Sequence, residues 1–147
     1  MAVFFLFLLA LILGTLSTLY WVPGDHLGRG YFQMNGLVVL GLLGLTVTIA
    51  WLHPMRPFAP HDRLGHLGLA IALVACFAYY AAIWKEAWRL AWIPLTVALV
   101  STSALLLHAG QGVVQPVTPL PHRPTLLVIC LLTSALLVGW SLVTMLL

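Results

Sequence analysis

Long apolar runs alternate with short polar, proline-bearing gaps along the whole chain. The runs fall at about 2–20, 34–53, 64–84, 88–108 and 125–147. Each approaches the roughly 20 residues a helix needs to cross a hydrocarbon core of about 30 Å. In hydrocarbon the backbone must satisfy its own hydrogen bonds, so such runs fold as helices. The pattern predicts an all-α integral membrane protein, a bundle of about five transmembrane helices with short loops, forming one domain over 1–147. The first run has no basic leader and no small-residue cleavage signature before Tyr20, so it is expected to stay as a span.

The gaps carry the expected breakers. Pro23 and Gly24 open the first, Pro54, Pro57 and Pro60 shape the second, and Pro116, Pro119, Pro121 and Pro124 stiffen the fourth. Proline lacks an N–H and disfavours helix in the residue before it. Pro124 directly precedes the last run, near the helical position proline tolerates best. The third gap, Lys-Glu-Ala-Trp, is so short that the third and fourth spans should be antiparallel neighbours. Pro94, inside the fourth run, is expected to bend it, with neighbouring helices absorbing the bend.

Composition narrows the class further. The 147 residues are 63% hydrophobic and only 6% charged, against about 25% charged in a soluble domain. The net charge of +3 is spread singly over the loops, with no basic stripe, which sets nucleic acid aside as a partner. Cys76 and Cys130 lie in separate apolar runs without a paired spacing. Alternating spans put Trp21, Tyr31, Phe32, Trp84, Trp88 and Trp92 on one membrane face, as an interfacial aromatic belt requires. Arg29, Lys85 and Arg89 balance Arg56, Arg63 and Arg123 across the bilayer. The terminal amine then tips the expectation towards an amino terminus inside.

The same alternation places every histidine except His26 on the opposite face. His61 and His122 fall in proline-rich loops and read as solvated. His53, His66 and His108 fall at helix ends, at similar depth. Residues three or four apart share a helix face. Ala104 and Ser101 therefore lie beneath His108, Ala50 and Thr46 beneath His53, and Ala70 beneath His66. A flat macrocycle needs such small residues and an imidazole from each of two helices, which makes His53 with His108 the preferred b-type haem pair and His66 the reserve. Arg56 and Arg63 would meet the haem propionates. A copper site would instead use His53, Met55, His61 and His66, which combine imidazole with a soft thioether. The same small residues, with Gly36, Gly41, Gly44, Gly65 and Gly68, also suit plain helix packing in lipid.

The span interiors lack the ionisable groups that transporters use to handle substrate. Their deepest polar groups are hydroxyls and Tyr79 and Tyr80; the hydroxyls of such spans usually bond to their own helix. No nucleophile–base pair, phosphate loop or acidic dyad appears, and His61-Asp62-Arg63 reads as a solvated turn. The expectation is a non-catalytic accessory or structural subunit of a larger membrane complex, with an electron-transfer complex as one setting. Its contacts would be the lipid bilayer and other membrane subunits or copies of itself. The alternatives are a b-type haem protein and a copper- or small-molecule-handling membrane protein.

Overall fold

The computed structural model describes residues 2–22, 28–52 and 62–114, with positions 129, 133, 134, 136, 137, 140 and 141 nearer the carboxyl end. Four helices account for the continuous stretches: α1 (Ala2–Trp21), α2 (Arg29–Leu52), α3 (Arg63–Trp84) and α4 (Trp88–Val114). There is no strand among the described residues. All four helices are long and apolar enough to cross a membrane, as in a multi-pass integral membrane protein. Of the fifth expected span, the described positions are helical, and Thr133 Oγ1 donates to the Ile129 carbonyl at 2.8 Å. The rest of that segment lies outside the described residues, so a fifth helix is not established.

The helices pack as a ring. α1 meets α2, α2 meets α3, α3 meets α4, and α4 returns to α1, without close backbone approach across either diagonal among the described residues. α1 is apolar on every face until Thr15, and 72% of its span is buried, against 33% for each of the others. A helix that is hydrophobic all round belongs inside. On α2 the buried positions Phe32, Asn35, Val39, Leu43, Thr46 and Ala50 recur every three or four residues. On α4 Ala91, Leu95, Ala98, Thr102, Leu105 and Ala109 do the same. Each line is the inward stripe of a helix whose other face meets lipid.

The antiparallel pairing of α3 and α4 follows from the short turn between them. Lys85 caps α3 with its N–H on Ala81 O, and Ala87 N donates to Ala82 O at 2.9 Å. Glu86 sits in the left-handed region at φ 60°, a conformation disfavoured for any residue with a Cβ. Its N–H bonds to Ile83 O at 3.2 Å, and its carboxylate receives Arg29 from α2. The aromatic collar gathers at this end as expected. Tyr20 meets Trp92 and Phe32 meets Trp88, both edge-to-face with centroids 5.2 Å apart.

Two sequence expectations need correction. α2 starts at Arg29 rather than 34, because the aromatic pair Tyr31 and Phe32 packs as part of the helix. α4 continues past His108 as far as Val114, in spite of Gly110 and Gly112. The glycines also divide. A Cβ on Gly68 would sit 2.9 Å from Leu105 Cδ2 on α4, and one on Gly36 3.3 Å from Tyr80 Cδ2 on α3. Among the described residues, nothing lies within 4 Å of a Cβ placed on Gly41 or Gly44.

That contrast is testable by thermal unfolding in detergent. Gly68→Val, which drives a branched side chain towards Leu105, is expected to lower the midpoint. Gly41→Ala and Gly44→Ala are expected to leave it unchanged or raise it, each adding up to about 1 kcal/mol of stability from helix propensity.

Candidate functional site

At the end of the bundle away from the aromatic collar, α2 finishes, α3 begins and α4 approaches its last turns. Asp62 lies at the centre. It immediately precedes the apolar run of α3, where a short acceptor side chain can satisfy an orphan backbone N–H. Its Oδ1 accepts from Gly65 N at 3.1 Å, which makes it the N-cap. Its other oxygen, Oδ2, lies 2.7 Å from His108 Nε2 on α4. Its backbone carbonyl lies 2.7 Å from His66 Nδ1, one turn into α3. Trp51, in the last turn of α2, meets the His66 ring edge-to-face with centroids 5.9 Å apart. One aspartate thus joins the helix cap, both described histidines and the seam between α3 and α4.

The electrostatics follow from those partners. Partial burial of Asp62 acts to raise its pKa. The Gly65 N–H, the hydrogen bond and charge of His108 and the charge of His66 outweigh that, and hold the carboxyl below its ordinary value. The side chains are 19% exposed for Asp62 and 41% for His108, so the pair is partly screened by solvent. A pair of this kind contributes about 1 kcal/mol or less, and the cap about 1 kcal/mol more.

The expected site residues fare unevenly. His66 and His108 are brought to one place, through Asp62. Arg63 is exposed at the start of α3. His53, Met55, Arg56 and His61 lie outside the described residues, so the preferred haem pair and most of the copper set do too. The stripe beneath His53 is inside the bundle, with Thr46 and Ala50 fully buried. The stripe beneath His108 is not: Ala104 is exposed and Ser101 half-buried, because the inward face of α4 runs through Thr102, Leu105 and Ala109. Ala70, beneath His66, is likewise exposed. Among the described residues no three His, Cys, Asp or Glu side chains converge as a metal would require.

No protein family, curated protein or solved structure matches this chain. The chemistry therefore rests on geometry alone. The hydroxyls expected to serve their own helices do so: Thr15, Ser17, Thr46, Thr96, Thr102 and Ser103 each donate to the carbonyl four residues back. Asp62, expected to lie in a solvated turn, is instead an interhelical tie. An aspartate directly before an apolar run is a legible N-cap signal. Its bond to His108 had no local signal, since it joins positions far apart in the chain.

Two substitutions separate the roles of Asp62. Asp62→Asn keeps a good cap but loses the carboxylate facing His108, and is expected to cost less than about 1 kcal/mol. Asp62→Ala loses both and should cost more. In the parent the folded pKa of Asp62 lies below the unfolded one, so the unfolded chain binds its proton first as pH falls. The stabilisation is complete above the ordinary value of 3.8 and is lost as pH drops through the lower folded value. Acid unfolding followed by circular dichroism should show a shallower pH dependence in Asp62→Asn below about pH 5.

Proposed function

We propose that the chain is an accessory subunit that packs, within the bilayer, against a helix of another membrane protein. The observation that carries this reading is a groove of about 670 Å³ between α3 and α4, lined only by apolar side chains. Ala70, Ala78 and Ala82 form one wall, and Leu90, Pro94 and Val97 the other. Pro94, inside α4, stands in the groove wall. Proline has no N–H to give to the carbonyl one turn back, so α4 lacks one backbone hydrogen bond where the groove opens. From Leu67 to Ala82 the groove follows α3 for roughly 22 Å, most of a membrane span. Small residues along such a length allow helix backbones to approach, which is how helices associate in lipid.

The polar groups support the same reading. The serine and threonine hydroxyls of α1, α2 and α4 bond within their own helices, and the ionic ties sit at the bundle ends. A haem or copper reading has weaker support, from the way Asp62 orients both His66 and His108, as carboxylates and carbonyls do behind metal-ligating imidazoles. A reduced-minus-oxidised spectrum of protein purified from native membranes tests it; without an α-band the haem reading fails.

The subunit reading is tested by a photo-crosslinking side chain at Ala78, in the groove, and at Leu37, an exposed site on α2. Irradiation of native membranes should give a discrete protein adduct from position 78 and none from 37. The adduct mass distinguishes a second copy from a different subunit. Lipid adducts alone, or the same products from both positions, would sink the proposal.

A further inference from the structure

Near the aromatic collar, three polar atoms are buried between α2 and α3 without a hydrogen-bond partner: Tyr31 Oη, Asn35 Oδ1 and Tyr79 Oη. Asn35 is 1% exposed and Tyr79 4%. Native proteins rarely leave such groups unsatisfied, and each exception calls for an unseen partner or a reason.

Two of these atoms are on α2 and the third is on α3, which packs against it. Tyr31 and Asn35 are one turn apart on α2, and Asn35 Nδ2 donates to the Tyr31 carbonyl at 3.0 Å. That bond fixes which end of the amide is which, and leaves Oδ1 as a pure acceptor. Across the seam, the ring of Tyr79 lies against α2 at the next residue. A Cβ on Gly36 would be 3.5 Å from Tyr79 Cε1, the ring carbon beside the one bearing the hydroxyl. An alanine there would meet the Tyr79 ring at ordinary van der Waals distance, so the ring packs directly beside this turn of α2.

The donor and acceptor inventory selects the ligand. The amide oxygen only accepts, while each phenol can donate once and accept. An anion would be repelled by Oδ1, and an apolar group would satisfy none of the three. A cation would find one amide oxygen, two phenols and no charge. A small neutral molecule that both donates and accepts fits. Water does so by donating to Asn35 Oδ1 and to one phenol oxygen and accepting from the other phenol. Three bonds is the usual number for a buried water. We propose that Tyr31, Asn35 and Tyr79 form a binding site for an ordered water that bridges α2 and α3 inside the bundle. The approach is from the collar end, where the Nε of Arg29 is a further buried donor without a partner. Arg29 itself is tied there to Glu86 and to the Trp84 carbonyl.

The bridge reverses the expected sign of a conservative substitution. An unpartnered phenol is a burden, so Tyr79→Phe would then raise thermal stability or leave it unchanged. A phenol held by water is a tie, so Tyr79→Phe and Tyr31→Phe should each lower the melting midpoint by about 5 °C. Both variants keep the ring and its packing. Infrared spectra of the parent in lipid should also show an O–H stretch that shifts on exchange into ¹⁸O-labelled water and disappears in Tyr79→Phe. A midpoint that does not fall overturns the proposal. So does a spectrum insensitive to ¹⁸O, which would replace the water with a direct bond between the side chains.

Discussion

Hydrocarbon offers a polar atom nothing to bond to, and most of this structure follows from where its polar atoms can therefore go. Threonine and serine in the spans turn back onto the carbonyl one turn earlier. The charged groups that tie helices together lie at the two ends, where water or headgroups can share the cost of burial. At one end Asp62 and His108 tie α3 to α4, and at the other Arg29 ties α2 to Glu86 and to the Trp84 carbonyl. Partly exposed pairs of this kind contribute little energy. Their role is positional: each joins groups that meet only when the helices are in register. Packing of the inward stripes supplies most of the cohesion.

Within the ring, the α3–α4 hairpin is the pair most constrained by its own sequence. Its turn forces antiparallel contact, Gly68 admits Leu105, and the Asp62–His108 tie closes the far end. Between these points the helices do not fill the space between their outer faces, and the apolar groove remains. Contacts at both ends of the hairpin, with a gap at Pro94, leave this apolar surface preformed. Preorganisation of that kind reduces the ordering cost of association.

The positions of the four described spans were legible because hydrophobic length and proline punctuation are local signals. The aromatic collar was legible too, because strict alternation of spans puts alternate loops on one side. Helix ends were less so. α2 begins within an apparent loop because Tyr31 and Phe32 pack there, and α4 continues past His108 to Val114. Helix facing was the least legible. Ala104 and Ser101 share a face with His108, but three-residue spacing does not say which face points inward; that depends on how α4 rotates to present Thr102 and Leu105. The same ambiguity covers Gly41 and Gly44, which meet no close neighbour among the described residues. Asp62 shows both limits at once, since its cap was written locally and its pairing with His108 was not.

The aspartate also constrains what chemistry the histidine face can support. Its carboxylate is held charged well below neutral pH, and His108 bonds directly to it. His66 bonds to the carbonyl of the same residue, whose other oxygen caps α3. A metal, a proton or a ligand arriving at either imidazole therefore acts on a group already engaged with Asp62. It must keep that arrangement, as second-shell carboxylates do behind a ligand histidine, or break it and release the first turn of α3 from α4. Binding at this face and packing of the α3–α4 hairpin are then one equilibrium rather than two.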